Sequence, residues 1–114
     1  MNYSIEDHFI GKENIVKEIY DKLVDECENF GNVVQAPKKT CIHLDSKYGF
    51  AGVYTRKSYL LLHIHLNVKE SSGTFERIEQ ISKSRFKHVV RIDSPEEINT
   101  WLIDLLHRAY KLKS

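Results

Sequence analysis

The sequence predicts an α+β fold: an antiparallel sheet of about four to five strands, with an N-terminal and a C-terminal amphipathic helix packed on one face. Three observations carry this. Apolar residues recur at helical spacing near both ends of the chain, they alternate every second residue in the middle, and the middle segments are separated by turns too short for helical crossovers. The 114 residues are expected to form a single domain over 1–114, with a lead-in over 1–11, a helix over 12–30, a sheet region over 33–93 and a helix over 95–112.

In order along the chain, Ser4 and Asp7 ahead of Phe9 and Ile10 resemble a short helical start, which Gly11 ends in a left-handed conformation. Ile15, Val16, Ile19, Tyr20, Leu23, Val24, Cys27 and Phe30 then form a helical stripe, with Gly31 placed to terminate it. From Asn32 to Pro37 a short edge strand is expected, because Pro37 has no N–H to donate to a ladder. Thr40–Asp45 alternates, with Ile42 and Leu44 opposed to Cys41, His43 and Asp45. Tyr48–Tyr54 is the next strand, in which Gly49 and Gly52 suggest a bulge or a close backbone approach. Tyr59–Leu66 is the strongest strand: Leu60, Leu62, Ile64 and Leu66 make one apolar face, and Tyr59, Leu61, His63 and His65 make the other. Asn67–Gly73 reads as a loop, and Thr74–Ser82 fits a short helix or a strand. Lys87–Asp93 is a further strand, with His88, Val90 and Ile92 opposed to Lys87, Val89 and Arg91. Finally, Ser94-Pro95-Glu96-Glu97 has capping-box order ahead of a stripe through Ile98, Trp101, Leu102, Leu105, Leu106, Ala109 and Tyr110.

Composition excludes several classes. Apolar residues at 41%, two prolines and five glycines exclude a disordered or collagenous chain. The apolar run at Tyr59–Leu62, broken by His63 and His65, falls far short of the roughly 20 residues a membrane span needs. The acidic start lacks a signal-peptide pattern, so a cytoplasmic location with Cys27 and Cys41 as thiols is expected. The net charge of +1 conceals an asymmetry: three basic residues face eight acidic ones through Phe30, and fourteen face eight from Gly31 onward. A pI of 7.8 excludes a strongly basic nucleic-acid protein, and Gly49-Phe50-Ala51-Gly52 is neither a Walker loop nor a dinucleotide fingerprint.

Three residue sets could carry chemistry. Cys41, His43, Asp45, His63 and His65 share the sheet face opposite the apolar one. A His-x-His pair on a strand aims two imidazoles to the same side about 7 Å apart between Cα atoms, so His63, His65 and either His43 or Cys41 could ligate a metal; the plain alternative is a half-exposed polar surface. Cys41, two residues from His43, could serve as a nucleophile, whereas Cys27 reads as a small buried hydrophobe. Lys38, Lys39, Lys47, Arg56, Lys57, Lys83, Arg85, Lys87 and Arg91, interleaved with Tyr48, Tyr54, Tyr59 and Phe86, could meet an anionic or flat ligand, or simply solvate turns and edges.

A set of segments also resembles a known family. Glu6-Asp7-His8-Phe9-x-Gly11-Lys12, Tyr20-Asp21-x-Leu23, Pro37-Lys38-Lys39-Thr40-Cys41-Ile42-His43-Leu44, Phe50-Ala51-Gly52-Val53, Arg56-Lys57, Ser82-x-x-Arg85-Phe86-x-His88, Trp101-Leu102 and Ala109-Tyr110 are similar to the bacterial family known as domain of unknown function 5655. The resemblance implies a small cytoplasmic α+β domain, alone or appended to others, without an established activity. Related modules that carry a transport label or accompany DNA-handling enzymes favour a binding or accessory role. Lys38, Lys39, Thr40, His43, Arg56, Lys57, Arg85 and His88 match its motif positions; His63 and His65 depart from it.

Together these readings lead to a binding or accessory domain rather than an enzyme, with no cofactor. Lys39, His43, Arg56, Lys57, Arg85 and His88 are the expected ligand-binding residues, and the partner is an anionic small molecule, nucleic acid or protein, with no membrane. Two alternatives compete: a metal-dependent enzyme or metal-binding protein using His43, His63 and His65, and a homodimeric interaction module.

Overall fold

A computed structural model of the chain describes residues 2–71 and 73–113. A 3-10 turn at Glu6–Phe9 leads into helix α1 (Asn14–Glu28); six strands follow, β1 (Val34–Pro37), β2 (Ile42–Asp45), β3 (Gly49–Thr55), β4 (Leu60–Leu66), β5 (Arg77–Ser82) and β6 (Arg85–Ile92). A second 3-10 turn at Pro95–Glu97 precedes helix α2 (Thr100–Leu112). The strands form one antiparallel sheet in the order β1-β2-β3-β4-β6-β5. The α+β class is as the sequence predicts; the strand count of six exceeds the expected four to five.

The additional strand is β5, from the segment that fitted either a helix or a strand. It is a sheet edge, and only Ile78 and Glu79 of its residues are partly buried. An edge strand with little to bury has no strong alternation to display. β1 is the opposite edge, ending at Pro37 as its missing N–H requires.

The core is built on one face. Ile42, Leu44, Val53, Leu60, Leu62, Ile64, Leu66, Val90 and Ile92 meet Val16, Ile19, Leu23 and Cys27 of α1 and Leu102, Leu105, Leu106 and Ala109 of α2. Register aligns these residues in rows, such as Ile42–Val53–Leu62–Val90. Each fully buried aliphatic side chain contributes about 1.5–3 kcal/mol of transfer free energy, which is what binds both amphipathic helices to this face. The expected irregularity near Gly49 is a bulge: Leu44 pairs with Ala51 and Asp45 with Gly49, leaving Phe50 as the extra residue of β3. Phe50 stays in the core, its ring edge-on to Tyr110 at 5.5 Å.

The helix starts differ from the expected ones. α1 begins at Asn14, where the Glu13 N–H donates to the Lys57 carbonyl at 2.8 Å. Ser94-Pro95-Glu96-Glu97 closes a 3-10 turn in which Glu97 accepts bonds from the Asp93 N–H and the Ser94 hydroxyl. Asn99 is the true cap of α2, its Oδ1 accepting from the Leu102 N–H at 3.0 Å. Ile98 between them is non-helical (φ −83°, ψ 80°), so the two turns cannot merge into one helix over 95–112. At the chain start, Ser4 and Asp7 exchange side-chain and backbone hydrogen bonds, and Gly11 takes φ +77°, as expected. Among the described residues no helix is long and apolar enough to cross a membrane.

Candidate functional site: a basic concavity on the open sheet face

Alternation carries a second set of residues onto the face away from the helices. His43, Gly52, His63, Val89 and Arg77 lie in one row across five strands, and His65, Lys87 and Glu79 in the next. Gly52 contributes no side chain in the middle of this surface. The Tyr54 ring stacks on His63 with centroids 4.2 Å apart and planes at 28°. Cys41 and Val89 are buried on this face, outside the main core.

At one end of the sheet four segments converge: the β2–β3 turn, the end of β4, the β5–β6 turn and the C-terminal end of α2. The last is tied in by the Tyr48 N–H, which donates to the Lys113 carbonyl at 3.3 Å. A concavity of about 460 Å³ results, lined by His43, Tyr48, Gly52, Tyr54, His63, His65, Ile81, Arg85, Lys87 and Lys113 among others. A smaller one of about 220 Å³ adjoins it, sharing His65, Arg85 and Lys113 and adding Asn67, Ser82 and Ser84. Among the described residues neither wall is lined by an aspartate or glutamate. Lys87 is offset by Glu79 at 3.6 Å, whereas Arg85 and Lys113 have no carboxylate partner among the described residues.

This environment keeps the His63 and His65 imidazoles neutral. Burial, and then the positive charges of Lys87 and Arg77, push His63 down to about 4, with His65 adding to the effect and Glu79 opposing it. Burial, followed by Arg85, Lys113, Lys87 and His43, does the same to His65, also to about 4. The His65 Nδ1 is buried without a hydrogen-bond partner. A surface of fixed cations and suppressed imidazoles is one that an anion would relieve.

Of the six residues expected to bind ligand, the fold brings two together here, His43 and Arg85. Lys39, in the β1–β2 turn, and Arg56 and Lys57, in the β3–β4 turn, lie at the other end of the sheet. Thr55 pairs with Leu60 there, six residues of β4 from the Leu66–Phe86 pair beside Arg85, or about 20 Å. The backbone of that end serves the lead-in segment: His8 Nε2 bonds the Lys38 carbonyl at 2.8 Å, and the Thr55 hydroxyl donates to the His8 carbonyl at 2.6 Å.

His88 is separated by the sheet itself. It pairs with Ile64 on the core face and is fully buried, edge-on to Phe75, with its Nε2 accepting from the Glu70 N–H at 3.0 Å. Burial lowers its pKa against the opposing effect of the Phe86 and Ile64 backbone carbonyls. Its neighbour in this arrangement is the exposed-side ion pair of Arg108 with Glu70 at 2.6 Å. His88 therefore anchors the Asn67–Phe75 connection and does not face the concavity.

His43, His63 and His65 share a face without making a metal set: among the described residues no three His, Cys, Asp or Glu side chains are grouped to hold an ion. Cys41 is 4% exposed and neighbours Tyr54, so it presents no accessible nucleophile, and Cys27 is a core residue. Lys113 is the site cation that sequence reading missed, along with the neutral residues Asn67, Ser82 and Ser84. Lys113 lies 48 positions beyond His65 and reaches the concavity only through the docking of α2; the stripe and the end of that helix were visible, but not which strand ends its last turn meets.

Fold and site together define a small α+β sheet protein with one face covered by helices and the other bearing a basic hollow. The family model described as domain of unknown function (DUF5655) matches residues 5–113, and the chain belongs to that family. No curated protein and no solved structure matches the chain.

Proposed function

We propose that this protein is a binding or accessory domain whose ligand is anionic and sits in the concavity bordered by Arg85, Lys87 and Lys113. The observation that carries the reading is the wall itself: three cations, two of them without a carboxylate partner among the described residues, and no aspartate or glutamate among the described lining residues. Its volume of about 460 Å³ lies in the roughly 300–1,000 Å³ range of small-molecule sites. His63 and His65 supply neutral donors or acceptors and gain a proton more readily once an anion offsets the surrounding charge.

Calorimetric titration with inorganic phosphate and pyrophosphate tests this. Saturable binding is expected, weakened about tenfold by Arg85→Ala or Lys113→Ala, since a charge-assisted hydrogen bond is worth about 1.5–3 kcal/mol. Arg56→Ala and Lys57→Ala, at the far end of the sheet, should leave the affinity unchanged. Equal losses at both ends, or no saturation by either anion, would refute the site.

A further inference from the structure

We propose that the ligand of this concavity is a phosphomonoester carried on a flat ring, of the size of a nucleoside monophosphate; the inference rests on the anion-binding reading above. Two compartments of different chemistry meet at His65, Arg85 and Lys113. The smaller, about 220 Å³, adds Asn67, Ser82 and Ser84 as neutral hydrogen-bonding residues to the two cations, with Leu66 and Leu112 completing its wall. A phosphomonoester carries about −1.5 to −2 at neutral pH and offers three acceptor oxygens. That matches two cations without acidic partners among the described residues and with hydroxyl and amide groups beside them; a carboxylate, with one charge and two oxygens, would leave part of the cup unused.

The larger compartment suits a ring. Its floor is Gly52, flanked by the Tyr54–His63 stack, and exposed Tyr48 and Ile81 stand at its rim. Gly52 has no positive φ. A Cβ placed there would come no closer than 3.5 Å to Tyr54 and 4.0 Å to His63, ordinary contact distances. The chain's own conformation and packing thus do not demand glycine at a strand interior, where it weakens the strand. A ligand lying flat on the sheet does. Stacking on aromatic side chains supplies the affinity for such a ring.

Calorimetry on the full chain distinguishes the two levels of the reading. The probes are inorganic phosphate, ribose 5-phosphate, the 5′-monophosphates of adenosine, guanosine, cytidine and uridine, and a single-stranded hexanucleotide. At least one mononucleotide should bind about tenfold more tightly than ribose 5-phosphate. Gly52→Val, which fills the floor, and Tyr48→Ala, at an exposed position, should remove that gain, so that the mononucleotide binds each variant no more tightly than ribose 5-phosphate does. If every phosphate ester binds like inorganic phosphate, the ring inference fails and the anion site stands. If nothing binds, both fail. A hexanucleotide tighter than every mononucleotide would overturn the inference in favour of a nucleic-acid surface.

Discussion

The two faces of β4 carry opposite instructions. Leu60, Leu62, Ile64 and Leu66 are buried against the helices, and between them His63 and His65 turn toward a hollow bordered by Arg85, Lys87 and Lys113. The same contrast separates two histidines only one row apart. His88 is on the covered face, bonded to the Glu70 N–H, whereas His63 is on the open face, stacked under Tyr54. The lesson is that side-chain type does not assign a role here. The face does: one side converts residues into stability, and the other leaves polar and cationic groups that the core does not require.

The strongest way to break this contrast is to cut the covered face. Leu62→Ala, at a fully buried site contacted from both layers, should cost about 2–5 kcal/mol in denaturant unfolding, because a cavity adds to the lost transfer term. A loss under about 1 kcal/mol would mean that the helices do not seal this face as described. Next, His88→Leu should cost about 1–3 kcal/mol, since the half-buried Glu70 N–H loses its acceptor, while phosphate affinity stays at the wild-type value. A change in affinity without destabilisation would return His88 to the binding site.

The third effect is pH dependence. His63 and His65 bind protons less readily when folded, at about 4, than when unfolded, at the ordinary 6.5. Between those values the unfolded chain therefore holds more protons, so stability falls as pH drops from about 6.5 to about 4, and these two groups add no further slope below that. After allowance for solvent screening, the loss is on the order of 1–2 kcal/mol per imidazole, removed by His63→Gln or His65→Gln. Chemical denaturation at several pH values reads it directly. The smallest effect on the fold belongs to the open face: Arg85→Ala and Lys113→Ala should alter stability by no more than about 0.5 kcal/mol while weakening phosphate binding. Destabilisation comparable to Leu62→Ala would show that these cations serve the fold.

Much of the fold was legible because burial writes periodicity. The α1 stripe, the alternation of β2, β4 and β6, and the edge strand ending at Pro37 all follow from residues that are half in a core. β5 was ambiguous because it buries little, and the start of α2 was misplaced because Ser94 and Asn99 are both good cap residues that only Ile98's backbone distinguishes. Alternation had set His88 beside Val90 and Ile92, and the structure follows that pattern rather than its polar character. The open-face histidines were likewise visible. What local sequence could not convey was which basic residues meet: Arg85 and Lys113 join through a strand turn and a helix end, whereas Arg56 and Lys57 are carried about 20 Å away by the length of β4.

The proposed function turns on a positive field at Arg85 and Lys113, which have no carboxylate partner among the described residues, strong enough to bind an anion on the open face. NMR titration of the His65 and His63 imidazoles, with and without saturating inorganic phosphate, separates the effect of burial, the larger cause of their low midpoints, from that of the field, which only the anion changes. Without phosphate, both should titrate near 4. With it, both midpoints should rise, His65 the more because Arg85 and Lys113 act on it directly. Midpoints near 6.5 in the free protein, or midpoints that phosphate does not move, would contradict the account.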